Sequence, residues 1–169
     1  MLWDLKEDSF KFSIELKDNP FTRRGLLSTI SSLYDPPWVA LSPIILPAKK
    51  LLQELCQVES LDWDERIPDE PAERWQHWIQ GLHLLEQLSI PRCFKSSGFC
   101  NVTGSSLVLF SDASTVGYGV CSISCSSRWK LSSVKSCHGK SRVSPKKVVT
   151  IPRLELTAAT VSVKVAHTS

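Results

Sequence analysis

The sequence predicts an α+β protein in two parts: a mainly helical first half, then a small sheet with one closing helix. Three observations lead there. Apolar residues recur with a helical period over much of the first ninety residues, then fall into short strand-like runs. Charge divides at the same place: residues 1–91 hold nine Lys/Arg and fifteen Asp/Glu, a net −6, whereas residues 92–169 hold eleven and two, a net +9. Between them "SIPRCFKSSGFCNVTGSS" (89–106), rich in Ser and Gly, reads as a connection. The expected organisation is therefore a unit over 1–91, a linker over 92–106 and a second unit over 107–169.

In the first unit, "DSFKFSIELK" (8–17) alternates Phe10, Phe12, Ile14 and Leu16 with polar neighbours, the period of a half-buried strand. Thr22 is placed to cap a helix on which Leu26, Leu27, Ile30 and Leu33 recur at helical spacing, with Gly25 weakening it slightly. "DPPWVALSP" (35–43) ends that helix, because proline lacks the donor and restrains its predecessor. A second helix is expected from Ile44 to Cys56 with Pro47 in its first turn, where proline is tolerated. The acidic "ESLDWDERIPDEPAERW" leads into a third, whose stripe of Trp75, Trp78, Ile79, Leu82 and Leu85 is a core face. His77 and His83 fall off that stripe and read as surface residues.

In the second unit, 107–111 and 118–124 suit buried strands around a Gly-containing turn, and a weaker third strand fits 128–136. "IPRLELTAATVSVKVA" then reads as a helix: Thr150 can cap it, Pro152 sits in its first turn, and Leu154, Ala158, Val161 and Val165 form one face.

Several function classes are disfavoured. No segment approaches the roughly 20 apolar residues of a membrane span, so no membrane partner is expected. The N-terminus "MLWDLKEDSF" has acids where a secretory signal has a basic and then an apolar region. The six cysteines form no CxxC pair and no zinc spacing, and Cys137-His138 is isolated. Reduced thiols inside a cell follow as the expectation.

The basic unit has only two acids. Asp112 ends the run "LVLF", and Glu155 lies in the first turn of the last helix, on a flank with the small residues Ala159, Ser162 and Ala166. Small residues let the helix lie close to a sheet, so the two carboxylates can be brought together in space. Acids a few ångströms apart repel, and either one is protonated or a cation sits between them. Mg²⁺ suits that role, because it takes oxygen ligands and keeps waters and substrate phosphates. Lys140, Arg142, Lys146, Lys147 and Arg153 lie between the pair in sequence and could hold a phosphate backbone. The alternative stays open that Asp112 caps a turn and Glu155 only favours the positive end of the helix dipole.

"FSDASTVGYGV" followed by "GKSRVSPKKVVTIPRLELTAA" resembles the RNase H region of Bel–Pao (Pao-type) LTR retrotransposon polyproteins, a region often grouped with the Pao retrotransposon peptidase family. Upstream, "TRRGLLSTISSLYD", "AKKLLQELC", "LDWDERIP" and "IPRCF" resemble the reverse transcriptase connection, and "LWDLKEDSFKF" the stretch after the polymerase palm. The resemblance implies a thumb/connection-like segment followed by the N-terminal part of an RNase H-like mixed β-sheet with its first helix. It implies hydrolysis of the RNA strand of an RNA–DNA hybrid by carboxylates around two divalent metals, Mg²⁺ or Mn²⁺. Asp112 matches the family's first acid and Glu155 its second, so both are expected as catalytic and metal-binding residues. Lys140, Arg142 and Arg153 are expected at the nucleic acid. The implied partners are an RNA–DNA hybrid or other nucleic acid and the rest of the Pol polyprotein. The implied location is the cytoplasm, in a virus-like particle for an intact element.

The sequence also departs from the family. Two further acids of its site lie beyond the first helix, and the polymerase Asp-Asp motif is absent, so catalysis by this chain alone is not expected. The competing expectations are a non-catalytic nucleic-acid-binding module and an inactive retroelement relic. An aspartic peptidase is disfavoured: it needs Asp-Thr/Ser-Gly, and "SDAST" lacks the glycine that lets the chain turn behind the acid.

Overall fold

The computed structural model describes residues 2–33, 41–93, 104–128 and 131–168. Four helices and two antiparallel three-stranded sheets confirm the α+β class. The chain divides into two compact units, Met1–Tyr34 with Ile44–Arg92 and Asp35–Pro43 with Cys93–Ser169. The turn expected after the first helix and most of the expected linker fall on residues 34–40 and 94–103, outside the described residues.

In the first unit, β1 (Leu2–Asp4), β2 (Ser9–Lys11) and β3 (Ser89–Pro91) form a sheet in that order, with Trp3, Phe10 and Ile90 on one rung. The strand expected over 8–17 is thus cut to three residues. Its partners are themselves three residues long, so the ladder runs out at Lys11. Ile14 turns its amide instead to the Glu86 carboxylate at 3.0 Å. Phe12 is buried all the same.

Helix α1 (Arg23–Ser32) starts as expected: the Thr22 hydroxyl accepts from the Gly25 amide at 3.1 Å. Leu26 and Ile30 are buried, whereas Leu27 is exposed. Helix α2 (Leu41–Leu55) begins three residues before the expected Ile44. Pro43 therefore occupies the first turn, and Pro47 stands inside the helix, where one intrahelical donor is missing. The Trp78 indole donates to the nearby Ile44 carbonyl at 2.8 Å.

Helix α3 (Asp69–Leu82) opens on Asp69 and Glu70, which suit the positive end of its dipole, and runs into a 3₁₀ turn at His83–Gln87. The expected stripe is the core face: Trp75, Leu82 and Leu85 are buried and Trp78 and Ile79 partly so. Trp75 and Trp78 stack at 4.7 Å between centroids. Leu26, Ile30, Ala48, Leu51, Leu55, Leu61 and Ile67 pack with Trp75 in this core. His77 and His83 are exposed.

In the second unit, β4 (Gly104–Ala113), β5 (Gly117–Arg128) and β6 (Leu131–Val143) form an antiparallel sheet in that order. The third strand, expected to be weak and to end near 136, continues to Val143. A Ser-rich strand gains little from side-chain burial, but β6 pairs with β5 along its whole length. The β4–β5 turn is held by Ser114, whose amide donates to the Gly117 carbonyl at 2.8 Å and whose hydroxyl accepts from Val116 at 3.2 Å. Helix α4 (Ile151–Thr168) packs across β4 and β5. Its first bond runs from the Leu154 amide to the Thr150 carbonyl at 3.1 Å, as expected of a cap at Thr150. Val120, Ala158 and Val165 form the helix–sheet core, with Tyr118 and Val161 against it. This arrangement is consistent with an RNase H-like fragment.

Candidate functional site

Alternation along a strand, and the shared face of directly paired residues, place every side chain of the sheet on one side or the other. Val120 packs on α4, and its partners Ser111 and Lys140 share that face. Tyr118 and Arg142 follow two residues on, and Ser122 and His138 two residues back. Asp112, Gly119 and Ser141 form the intervening rung and belong to the opposite face. Burial agrees: on β4, Leu109 and Ala113 of the helix face are partly covered, whereas Phe110 and Asp112 are exposed. Asp112 lines a shallow, largely apolar hollow there with Phe110, Gly119, Cys121 and Gly139.

Glu155 is exposed and stands fifth in α4, just past its first turn, because the helix starts at Ile151. That start lies at the Asp112 end of the sheet. Ser144, just after β6, donates its amide to the Val116 carbonyl at 3.0 Å and its hydroxyl to the Ser114 carbonyl at 3.0 Å. Leu154 shares a hollow with Thr115 and Ser144. Asp112 and Glu155 thus belong to one end of the sheet, Asp112 on the face away from the helix and Glu155 on the helix itself. Ala159 and Ser162, on the Glu155 flank, are half-buried and buried, as close packing on the sheet requires.

The basic residues gather at the same end. Lys140 and Arg142 share the helix-side face of β6, two residues apart, or about 6.6 Å along a strand. Arg153 is exposed in the first turn of α4. His138 joins Lys140 and Arg142 on that face. Sequence reasoning set it aside as part of an isolated Cys-His pair, and simple alternation back from Arg142 was the signal that could have found it.

RNase H-like domains generally use divalent metals. An ion of the Mg²⁺ type takes about six oxygen ligands, several of them waters or substrate phosphates. Among the described residues no three His, Cys, Asp or Glu side chains gather where they could hold a metal ion. Asp112 and Glu155 are acceptable donors but make up only part of a set. None of the described cysteines forms a disulfide: Cys56, Cys93, Cys121 and Cys125 are thiols. No helix among the described residues is long and apolar enough to cross a membrane.

Comparison with known proteins bears on this arrangement. No curated protein matches the chain. Residues 22–169 match the family described as the Pao retrotransposon-like RNaseH-like domain, which takes in α1–α4, the larger sheet and both carboxylates. The chain therefore belongs to the Pao retrotransposon-like RNaseH-like domain family.

Proposed function

We propose that this chain is the nucleic-acid-binding part of an RNase H-like region in a Pao-type retrotransposon Pol polyprotein. In this reading it supplies two carboxylates, Asp112 and Glu155, to a divalent-ion site whose other acids come from elsewhere in the polyprotein. By itself it binds an RNA–DNA hybrid without cutting it. The observation that carries this reading is that Asp112, Glu155, Lys140, Arg142 and Arg153 all lie at one end of one small sheet, Asp112 on the face away from α4 and the others on the helix side. Residues 92–169 carry a net charge of +9 and only two acids, and both acids lie at the end of the sheet where the bases gather, Asp112 on the face away from them. Asp112 and Glu155 would be part of the ligand set of a Mg²⁺ or Mn²⁺ ion, which would supply charge stabilisation for a phosphate group. The cytoplasm, in a particle with the rest of Pol, is the compartment this role implies.

The test is the salt dependence of binding to a labelled RNA–DNA hybrid. Each phosphate contact contributes about −0.9 to the slope of log K against log salt. Replacing Arg142 and Arg153 together by alanine is expected to flatten the slope by roughly 2 and weaken binding alike for all sequences. No binding at 50 mM salt, or a slope unchanged in the double variant, would refute the proposed interface. Cleavage of the hybrid by the chain alone would refute the non-catalytic part.

A further inference from the structure

Alternation along β6 puts His138, Lys140 and Arg142 at successive positions of one face, the helix side of the larger sheet. Two residues of strand span about 6.6 Å, so the row is roughly 13 Å long. Phosphates of one nucleic-acid strand follow one another at a similar step. α4 packs across β4 and β5, so β6 stands beside the helix and not beneath it. Arg142 is exposed, and Lys140 and His138 are partly so. A row of cations makes a poor packing surface, because burying a charge is costly unless a partner is buried with it. It suits a polyanion.

We propose that His138 is a third phosphate contact in this row, made when its imidazole is protonated, so that the chain holds an RNA–DNA hybrid more tightly as pH falls through the histidine range. This rests on the nucleic-acid reading given above and adds to it a residue and a pH dependence. A neutral imidazole offers a phosphate one donor and no charge, whereas an imidazolium offers a charge and two donors. The surrounding groups set the sign. On β6 the same-face neighbour is Lys140, with Arg142 beyond it; in the other direction the register shifts at Ser136, past which Lys135 pairs with Ser124. On β5 His138 stands opposite the buried Ser122, with Val120 and Tyr118 following on that face. β4 adds Leu109, Ser111 and Ala113 on this side, all uncharged. α4 bears Arg153, Glu155 and Lys164, all exposed, and His167 near its end, with Glu155 at the Asp112 end of the sheet. The row itself is thus cationic, and a proton on the imidazole is favoured by an anion laid along it.

The test measures binding of a labelled RNA–DNA hybrid against salt at about pH 5.5 and about pH 7.5, either side of the ordinary histidine value of about 6.5. Carboxylates ordinarily titrate below this window and lysines above it. The slope of log K against log salt is expected to be steeper by about 0.9 at the lower pH, the share of one phosphate contact. Affinity at low salt should rise there by about fivefold or more. His138→Gln should lose both changes, and His138→Lys should hold the steeper slope at either pH. His167→Gln, the control for the other histidine of α4, should leave both changes intact. Nuclear magnetic resonance of the unmodified chain gives a reading that does not depend on how the variants fold. At about pH 6.5 the His138 imidazole resonances should move toward their protonated positions when the hybrid is added, because a proton that tightens the hybrid is tightened by it in equal measure. A slope that ignores pH, a pH dependence that survives His138→Gln, or imidazole resonances that stay in place overturns this inference and leaves the interface standing. Absence of binding at both pH values overturns the two together.

Discussion

Asp112 stands directly across the β4–β5 ladder from Gly119, on the face of the sheet turned away from α4. Glycine at that position leaves the carboxylate without a neighbouring side chain on its own rung. A Cβ at 119 would lie 3.4 Å from the Lys140 carbonyl oxygen, an ordinary contact, so the backbone has room for a larger residue. Gly119→Val is therefore expected to fold with stability unchanged or raised by about 0.5–1 kcal/mol, since glycine weakens a strand interior. It should also crowd Asp112. Broadening of the Asp112 resonances by millimolar Mn²⁺ checks this: it should appear in the unmodified chain and fall several-fold in the variant. Equal broadening in both would show that the glycine does not serve access to the acid.

Acid should loosen the first unit through three exposed ion pairs. The Arg92 guanidinium holds the Asp8 carboxyl below its ordinary range, with contacts of 2.6 and 3.0 Å. A hydrogen bond from Lys11 does the same for Asp4, and one from Arg24 for Asp64. An acid with a depressed folded value contributes stability that is present above its unfolded value and is lost as pH falls through the folded one. The loss should thus begin as pH falls below about 4, the ordinary aspartate value, and not near neutrality. Because the pairs are exposed, it should be small and should shrink further in high salt. Tryptophan fluorescence against temperature and pH reads it directly: Trp3 donates to Asp8 at 3.1 Å and lies under Arg92 at 5.2 Å. Asp8→Asn should flatten the profile.

Parts of this structure were legible in the sequence because the relevant physics is local. The Thr22 cap, Pro152 in the first turn of α4 and the Trp75–Leu82 stripe each depend on neighbours a few residues away. Asp112 and Glu155 stood out because the basic half has no other acid. What could not be read depends on partners distant in the chain. The alternation of Ile14 and Leu16 promised strand, but the paired rungs of that sheet stop at Lys11. The length of β6 comes from main-chain pairing with β5, which a Ser-rich sequence does not advertise. The face on which Asp112 lies follows from where α4 packs, and no spacing within "LVLFSDAS" encodes that.

Gly25 shows the same contrast. Within a helix glycine looks like a weakness, costing roughly 1 kcal/mol against alanine. In the fold it is required: a Cβ at 25 would strike the carbonyl of Pro20, a backbone atom that cannot step aside as a side chain can. Gly25→Ala should therefore destabilise, by about 1–3 kcal/mol or more, despite the higher helix propensity of alanine. Urea unfolding followed by tryptophan fluorescence gives the number. A stabilised variant would mean that Pro20 yields.

The Trp78 indole and the Ile44 carbonyl offer a separable test of how α2 tolerates its internal proline. Pro47 withholds the donor that a regular helix would give to the carbonyl four residues back, at Pro43, whereas the Trp78 N–H adds a donor to the next carbonyl, that of Ile44, at 2.8 Å. Trp78→Phe keeps most of the ring surface stacked on Trp75 but removes the donor, so the cost should be about 0.5–1.5 kcal/mol, the net worth of one hydrogen bond. Pro47→Ala restores a backbone donor to a different carbonyl, four residues back, and should change stability independently of Trp78→Phe. A double-mutant cycle by urea unfolding measures the coupling. Additivity within about 0.5 kcal/mol is expected because the two changes act on different carbonyls, and larger coupling would show that the indole and the proline share one local arrangement.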